Sequence, residues 1–255
     1  MYEAIALGFC EPIKNLPADD IYSTARYKDD KAVAIGIVAT GIMYNKKAFE
    51  EKKWAPPTSW KDLKDPKYKK QLVIPPLNNT YGLHTLVEYA REGGGSEKKI
   101  DAGFTTFKNE VGPNVLVYEP SPGKMTELFS SGQATNAVWG SGRAKASPDT
   151  GFPVGFVYPQ EGAYALLSSV CPVAKSNVNP LAQAFVQYLV TPEVQEKLAS
   201  AYGYGPVNKK AKVTDDPRVP LPIGKRAADL IVIDWDTVNQ NRDDWNKRWT
   251  REVER

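Results

Sequence analysis

Residues Ala32 to Asn45 read AVAIGIVATGIMYN, an apolar, β-branched run that constrains this chain more than any other stretch. It is well beyond the usual strand length of about five to six residues. It also falls short of the ~18 consecutive apolar residues that a membrane helix needs. A run of this kind suits a strand long enough to cross from one packed region into another. Tyr164 to Val173, YALLSSVCPV, is a second run of comparable character.

Around these two runs, short β-rich segments alternate with helical patterns, which predicts an α/β protein. Thr58-Ser59-Trp60-Lys61-Asp62-Leu63 reads as a capped helical turn that Asp65-Pro66 ends, and Gln71 to Pro75 reads as a buried strand. The polar loop Asn78-Asn79-Thr80-Tyr81 opens a helix with Leu83, Leu86, Val87 and Ala90 on its apolar face, stopped at Gly93 to Gly95. Ile100, Phe104 and Phe107 recur at helical spacing. Strands are expected at Asn114 to Tyr118 and Thr135 to Trp139, and Val154, Phe156 and Tyr158 alternate as in a half-buried strand. Asn179-Pro180 and Thr191-Pro192 each signal a helix start, the first helix burying Phe185, Tyr188 and Leu189. A last helix, capped by Asp234, carries Trp235, Val238, Trp245, Trp249 and Val253 along one stripe.

Composition narrows the function. The 33 basic residues nearly balance 30 acidic ones, a net charge of +3 that is too small and too dispersed for a nucleic-acid surface. One histidine and 2 cysteines exclude a four-ligand zinc site and most His-based catalysis. No nucleophile–base pair, Gly-rich phosphate loop or metal-ligand spacing is present, so the residues call for no cofactor and no enzymatic role. A length of 255 residues allows one large domain or two lobes of about 100–150 residues each.

The ordered set Thr58 to Leu63 with Pro66-Lys67-Tyr68-Lys69, Gly132 to Trp139, Pro159-Gln160-Glu161-Gly162, Asn179 to Val194, Ala201-Tyr202-Gly203-Tyr204-Gly205-Pro206 and Asn241 to Trp249 resembles the substrate-binding proteins of ABC importers. The resemblance is to the type-2 periplasmic binding fold, in its polyamine and ferric-ion branch, and it runs through nearly the whole chain. It implies two α/β lobes joined by crossing strands, with ligand held between them. The hinges would lie near Ala39 to Met43 and Tyr164 to Leu167, with a third crossing near Pro220 to Ile223. One lobe would comprise residues 1–42 plus 165–221, the other 43–164 plus 222–255. By the same comparison Met1 falls well inside the first lobe, whose opening strands are absent from this stretch. Weak ligand binding and some self-association through an unpaired sheet edge are therefore expected. The family implies a periplasmic location, although no leader pattern is visible at the N-terminus.

The resemblance also selects candidate site residues. The family's cleft lies at the loop Asn78, Asn79, Thr80 and Tyr81, where helix N–H groups favour an anion; simple helix capping is the other reading of these residues. The family stacks an aromatic ring on ligand at the end of a strand, a place taken here by Trp139; a core tryptophan is the other reading. Ser141 follows in the loop, and Arg143 is either a bidentate grip for a carboxylate or phosphonate or a solvated charge. Tyr164 and Tyr204 line the cleft by the same comparison. Asp236 matches a cleft position of polyamine binders and also suits helix capping. Polyamine binders place carboxylates at the 78–81 loop, which has none here, and the adjacent tyrosines of ferric-ion binders are missing too. His84 reads as a partly buried structural residue. Cys10 and Cys171 would share a lobe, either as a disulfide or as two buried thiols.

The resulting expectation is a non-enzymatic receptor that closes on a small anionic or zwitterionic solute and delivers it to an ABC permease, as a monomer if complete. Polyamine binding, or a sensory domain of the same fold, stays open beside it.

Overall fold

In the computed structural model, which describes residues 1–146 and 153–254, the long apolar run forms a single strand, β1 (Val33–Asn45). Its partners change along its length. The first half pairs antiparallel with β6 (Tyr164–Val170), from Val33 opposite Val170 to Thr40 opposite Tyr164. The second half pairs antiparallel with β4 (Asn136–Gly140), from Thr40 opposite Gly140 to Tyr44 opposite Asn136. It also pairs with β5 (Val154–Val157), from Ile42 opposite Val157 to Asn45 opposite Val154. The parallel strands β2 (Leu72–Ile74) and β3 (Val115–Tyr118) complete the sheet beyond β4, in the order β3-β2-β4-β1-β5. All of β1 except Ile35 and Tyr44 is buried, which is why its sequence is continuously apolar instead of alternating.

The helices are α1 (Tyr2–Ala6), α2 (Lys46–Glu51), α3 (Thr80–Glu92), α4 (Asp101–Thr106), α5 (Pro122–Ser130), α6 (Ser141–Ala146), α7 (Asn179–Leu189), α8 (Pro192–Tyr202), α9 (Lys225–Ala228) and α10 (Trp235–Glu252). Buried side chains form two clusters. One gathers Ile21, Ile37, Trp139, Val186 and Val207, the other Trp60, Leu86, Phe107, Tyr164 and Trp249. β1 supplies both, with Ile37, Ala39 and Met43 in the first and Ile42 in the second, as strand alternation requires.

Local signals mostly act as the sequence suggests. Ser59 and Asp62 form a reciprocal capping box around the turn at Trp60. Asp234 caps α10 by accepting from the Thr237 N–H at 3.0 Å, and Val238, Trp245 and Trp249 are buried. The Trp249 ring meets Phe107 at 4.7 Å and Tyr118 at 5.3 Å. Cys10 and Cys171 form a disulfide, so the thiol alternative falls away.

α7 reverses the expectation for its buried face. Phe185 and Tyr188 are 57% and 54% exposed, and Leu181 is 70% exposed. The face turned inward carries Gln183, whose carbonyl accepts from the Lys14 N–H at 2.9 Å and whose amide donates to the Pro12 carbonyl at 3.0 Å. Gln187 donates to the Lys14 carbonyl at 2.6 Å. The segment 12–14 is irregular and needs backbone partners, and the amide side chains of α7 supply them. Asn179 does not cap this helix; its amide donates to Glu11 at 2.7 Å.

Candidate functional site

A cavity of about 740 Å³ opens where β1 and β6 pair, bounded by the starts of α3 and α6 and the end of α8. The loop Pro75 to Asn79 turns the chain from β2 into α3, and Asn79 caps that helix by accepting from the Tyr81 N–H at 2.9 Å. Asn78, Asn79, Thr80 and Tyr81 all line the cavity, and capping and lining coincide in Asn79. β4 delivers Trp139 at its end, and α6 follows at once and presents the exposed Arg143 from its first turn.

Trp139 and Tyr81 meet with ring centroids 5.4 Å apart, although Trp139 is only 2% exposed. Trp139 therefore belongs both to the core and to the cavity wall. Gly140 makes the approach possible, because a Cβ built there would overlap the Tyr81 hydroxyl. Burial raises the Tyr81 phenol pKa to about 12, against the lowering influence of the Arg143 guanidinium, so the ring enters as a neutral hydroxyl donor. On the facing wall, Tyr202 and Tyr204 stand 5.9 Å apart on either side of Gly203, whose φ of 66° ends α8 in the left-handed region.

Two candidates stand apart from this cavity. Ser141 is fully buried, with its hydroxyl accepting the Ala39 N–H at 3.1 Å, so it fastens α6 to β1. Tyr164 is fully buried as well. Its hydroxyl donates to Glu88 at 2.6 Å, and its ring stacks on His84 at 5.1 Å, beneath α3. Glu161 is committed elsewhere, accepting from the Ser59 hydroxyl and from the Trp60 N–H. Among the described residues, the cavity lining carries the cation Arg143 and no carboxylate.

Val38, Leu166, Ser168 and Tyr202 line the cavity and are additions to the sequence candidates. Val38 and Leu166 are register partners across β1 and β6. Strand alternation puts Leu166 and Ser168 on the same face of β6 as Tyr164.

A mixed sheet threaded by one long strand, with the cavity against the crossing, defines the two-lobed α/β periplasmic binding proteins. The structure aligns over 98% of this chain and 80% of an ABC transporter protein from Clostridium perfringens ATCC 13124, with a TM-score of 0.84 and 25% identity. It also aligns over 98% of this chain and 78% of the periplasmic binding protein AfuA from Actinobacillus pleuropneumoniae, solved with exogenous fructose-6-phosphate bound, with a TM-score of 0.74 and 22% identity. The Spermidine/putrescine-binding periplasmic protein of Escherichia coli (strain K12) is 25% identical over 182 residues, 71% of this chain and 51% of that protein. This chain thus spans about half the length of the curated relatives it matches. The family model for bacterial extracellular solute-binding protein matches residues 1–241, and the chain belongs to that family.

Proposed function

We propose that this chain binds a small anionic or zwitterionic solute, of carboxylate or phosphonate type, in the cavity at the β1–β6 crossing, and hands it unchanged to an ABC permease from the periplasmic side. The observation that carries the sign of the ligand is the cavity lining: Arg143 and the start of α3 converge on it, and no carboxylate lines it among the described residues. Burying an ammonium group there without a counter-charge would cost several kcal/mol, on the order of the penalty for any unpaired buried ion. The aromatic rings of Tyr81, Trp139 and Tyr204 supply apolar area around a small ligand body. The halves 1–42 plus 165–221 and 43–164 plus 222–255 are the lobes that would close on it, pivoting where β1 exchanges β6 for β4 and β5.

Polyamine binding is the second reading, favoured by the names of the curated relatives. A calorimetric screen of carboxylates, phosphonates and polyamines against the chain and Arg143→Gln separates the two. The substitution is expected to weaken the best anionic ligand by about 1.5–3 kcal/mol, the worth of a charged hydrogen bond. Unchanged affinity in Arg143→Gln, or spermidine as the best ligand, would overturn the anionic reading. Recovery of any candidate ligand in chemically altered form would overturn the non-enzymatic one.

A further inference from the structure

β6 leaves one of its edges open. Its inner edge pairs with β1, and on the outer edge, among the described residues, backbone partners occur only toward the two ends. The Ala165 N–H donates to the Ile231 carbonyl at 2.8 Å, and just past the strand the Pro172 carbonyl accepts from the Glu11 N–H at 2.9 Å. Between these points the pairing fixes where the backbone groups face. Ile37, opposite Leu167, exchanges both of its bonds with Gly205, at 2.9 and 2.8 Å. The N–H and carbonyl of Leu167 therefore point away from β1, and alternation turns those of Ser169 the same way. Leu166 to Val170 are half-exposed, and the start of the edge borders a hollow of about 310 Å³ lined by Ala165, Leu166 and Leu167. The sheet's other terminal strands differ. In β5 the Phe156 N–H donates to the Arg218 carbonyl at 3.3 Å, and in β3 the Val115 carbonyl accepts from the Lys70 ammonium group at 3.1 Å.

Exposed edges are ordinarily defended by charge, by proline or by a covering element. No charged residue lies between Glu161 and Lys175, in a chain that is 25% charged, and Pro172 comes after the open stretch. Apolar side chains stand out where the edge ends: Leu7, Phe9 and Val173 are 61%, 58% and 59% exposed, and the Phe9 carbonyl accepts from the Ala174 N–H at 2.8 Å. The complement of outward N–H and carbonyl groups on a strand is another strand. An edge of this kind is also its own complement, because a two-fold axis sets it antiparallel to its copy. Two identical surfaces bring like residues together, so a charged edge would repel itself, whereas this one carries no charge to oppose the contact. We infer that two copies of this chain pair through β6, edge to edge and antiparallel, so that the sheet continues from one protomer into its partner and Phe9 and Val173 are covered at the ends of the contact. The pairing does not depend on which solute is bound, although Leu166 and Ser168 place it along one rim of the cavity.

The test is sedimentation of the chain over a concentration series, with amide hydrogen exchange followed at each concentration. The expected result is a mass that doubles as concentration rises, with exchange at Leu167 and Ser169 slowing in step. Ser169→Pro removes an N–H that β1 does not use, and it should raise the concentration of half-dimerisation at least about tenfold, since each copy loses a donor. The paired variant Phe9→Lys with Val173→Lys, at exposed positions, should raise it too by setting like charges at the contact, and it keeps the inference open to refutation if Ser169→Pro fails to fold. A monomer at every concentration overturns the inference. So does a dimer in which the Leu167 and Ser169 amides exchange as fast as in dilute solution. Protection of those amides in the dilute monomer would mean that the chain covers its own edge, with the same consequence. A dimer equally strong in both variants would place the contact elsewhere on the surface and overturn the inference as well.

Discussion

Thr40 and His84 touch at the residue where β1 changes partners: the Thr40 hydroxyl lies 2.8 Å from His84 Nδ1. Thr40 is paired with Gly140 on one side and Tyr164 on the other, so this one side-chain contact pins α3 to the junction of all three strands. Both residues are fully buried, and His84 Nε2 has no hydrogen-bond partner among the described residues. Thr40→Val keeps the shape of the side chain and leaves both ring nitrogens unpaired. It should cost about 1–3 kcal/mol in urea unfolding.

Burial, with Arg91 adding to it, pushes the His84 pKa down to about 3 from the ordinary 6.5. Between those two values the unfolded chain takes up a proton that the folded chain refuses. Stability should therefore fall as pH drops through that window, with this residue contributing up to ~1.4 kcal/mol per pH unit. A His84→Gln variant lacks the contribution, and its stability should decline less steeply over the same range. Equal slopes in denaturant titrations of the two proteins would mean that His84 does not behave as its surroundings dictate.

Gly140→Ala tests how closely the cavity wall is built. The added methyl overlaps the Tyr81 hydroxyl and crowds Val38, so the Tyr81 ring must move into the cavity. The expected result is a folded protein less stable by about 1–3 kcal/mol, with altered tryptophan fluorescence from Trp139. An unchanged spectrum and an unchanged melting temperature would show that Tyr81 does not rest on Gly140.

Trp139→Ala should destabilise the ligand-free chain by about 3–5 kcal/mol, the usual cost of emptying a buried aromatic site. The size of the effect follows from near-complete burial, even though one edge faces the cavity. Loss of binding in that variant alone says nothing about ligand contact. Trp139→Phe, which retains most of the packing, is the variant in which affinity is informative.

α7 gives the least intuitive forecast. Leu181→Gln and Phe185→Gln, at apolar positions, should each alter stability by no more than about 0.5 kcal/mol. Gln183→Leu, which increases apolarity, should destabilise by about 1–3 kcal/mol, because the Lys14 N–H and Pro12 carbonyl lose their partner. Chemical denaturation of the three variants decides whether this helix is held by its amides.

That helix also shows where reading the sequence stopped working. Periodicity identifies which residues share a face but not which face turns inward, and the convention that apolar means buried assigned Phe185 and Tyr188 to the core. The deciding partner was the irregular segment at Lys14, more than 160 residues away in the chain and without a periodic signal of its own. β1, the cap at Asp234 and the turn at Ser59 were legible because each is fixed by residues close in sequence. The cavity lay between these cases. Asn78 to Tyr81 and Trp139 were singled out through the family resemblance and do line the cavity, whereas Ser168 and Tyr202 depend on how distant strands and helices meet. Tyr164, which the same resemblance singled out, lies under α3 and does not line the cavity, because its ring and hydroxyl are held by His84 and Glu88.

The Cys10–Cys171 bond makes a covalent ring of everything between those two positions. Chain-entropy arguments put the worth of so long a loop at about 5 kcal/mol, but its mechanical consequence is separate from that figure. Tension applied on either side of the bridged stretch runs through the sulfur bridge and bypasses the ring. Asn78, Trp139, Arg143 and Leu166 lie inside the bypassed stretch, while Tyr202 and Tyr204 lie on the segment beyond it that carries the load. A pull applied outside the bridge would therefore strip Tyr202 and Tyr204 from the cavity wall before the ring containing Arg143 felt any tension.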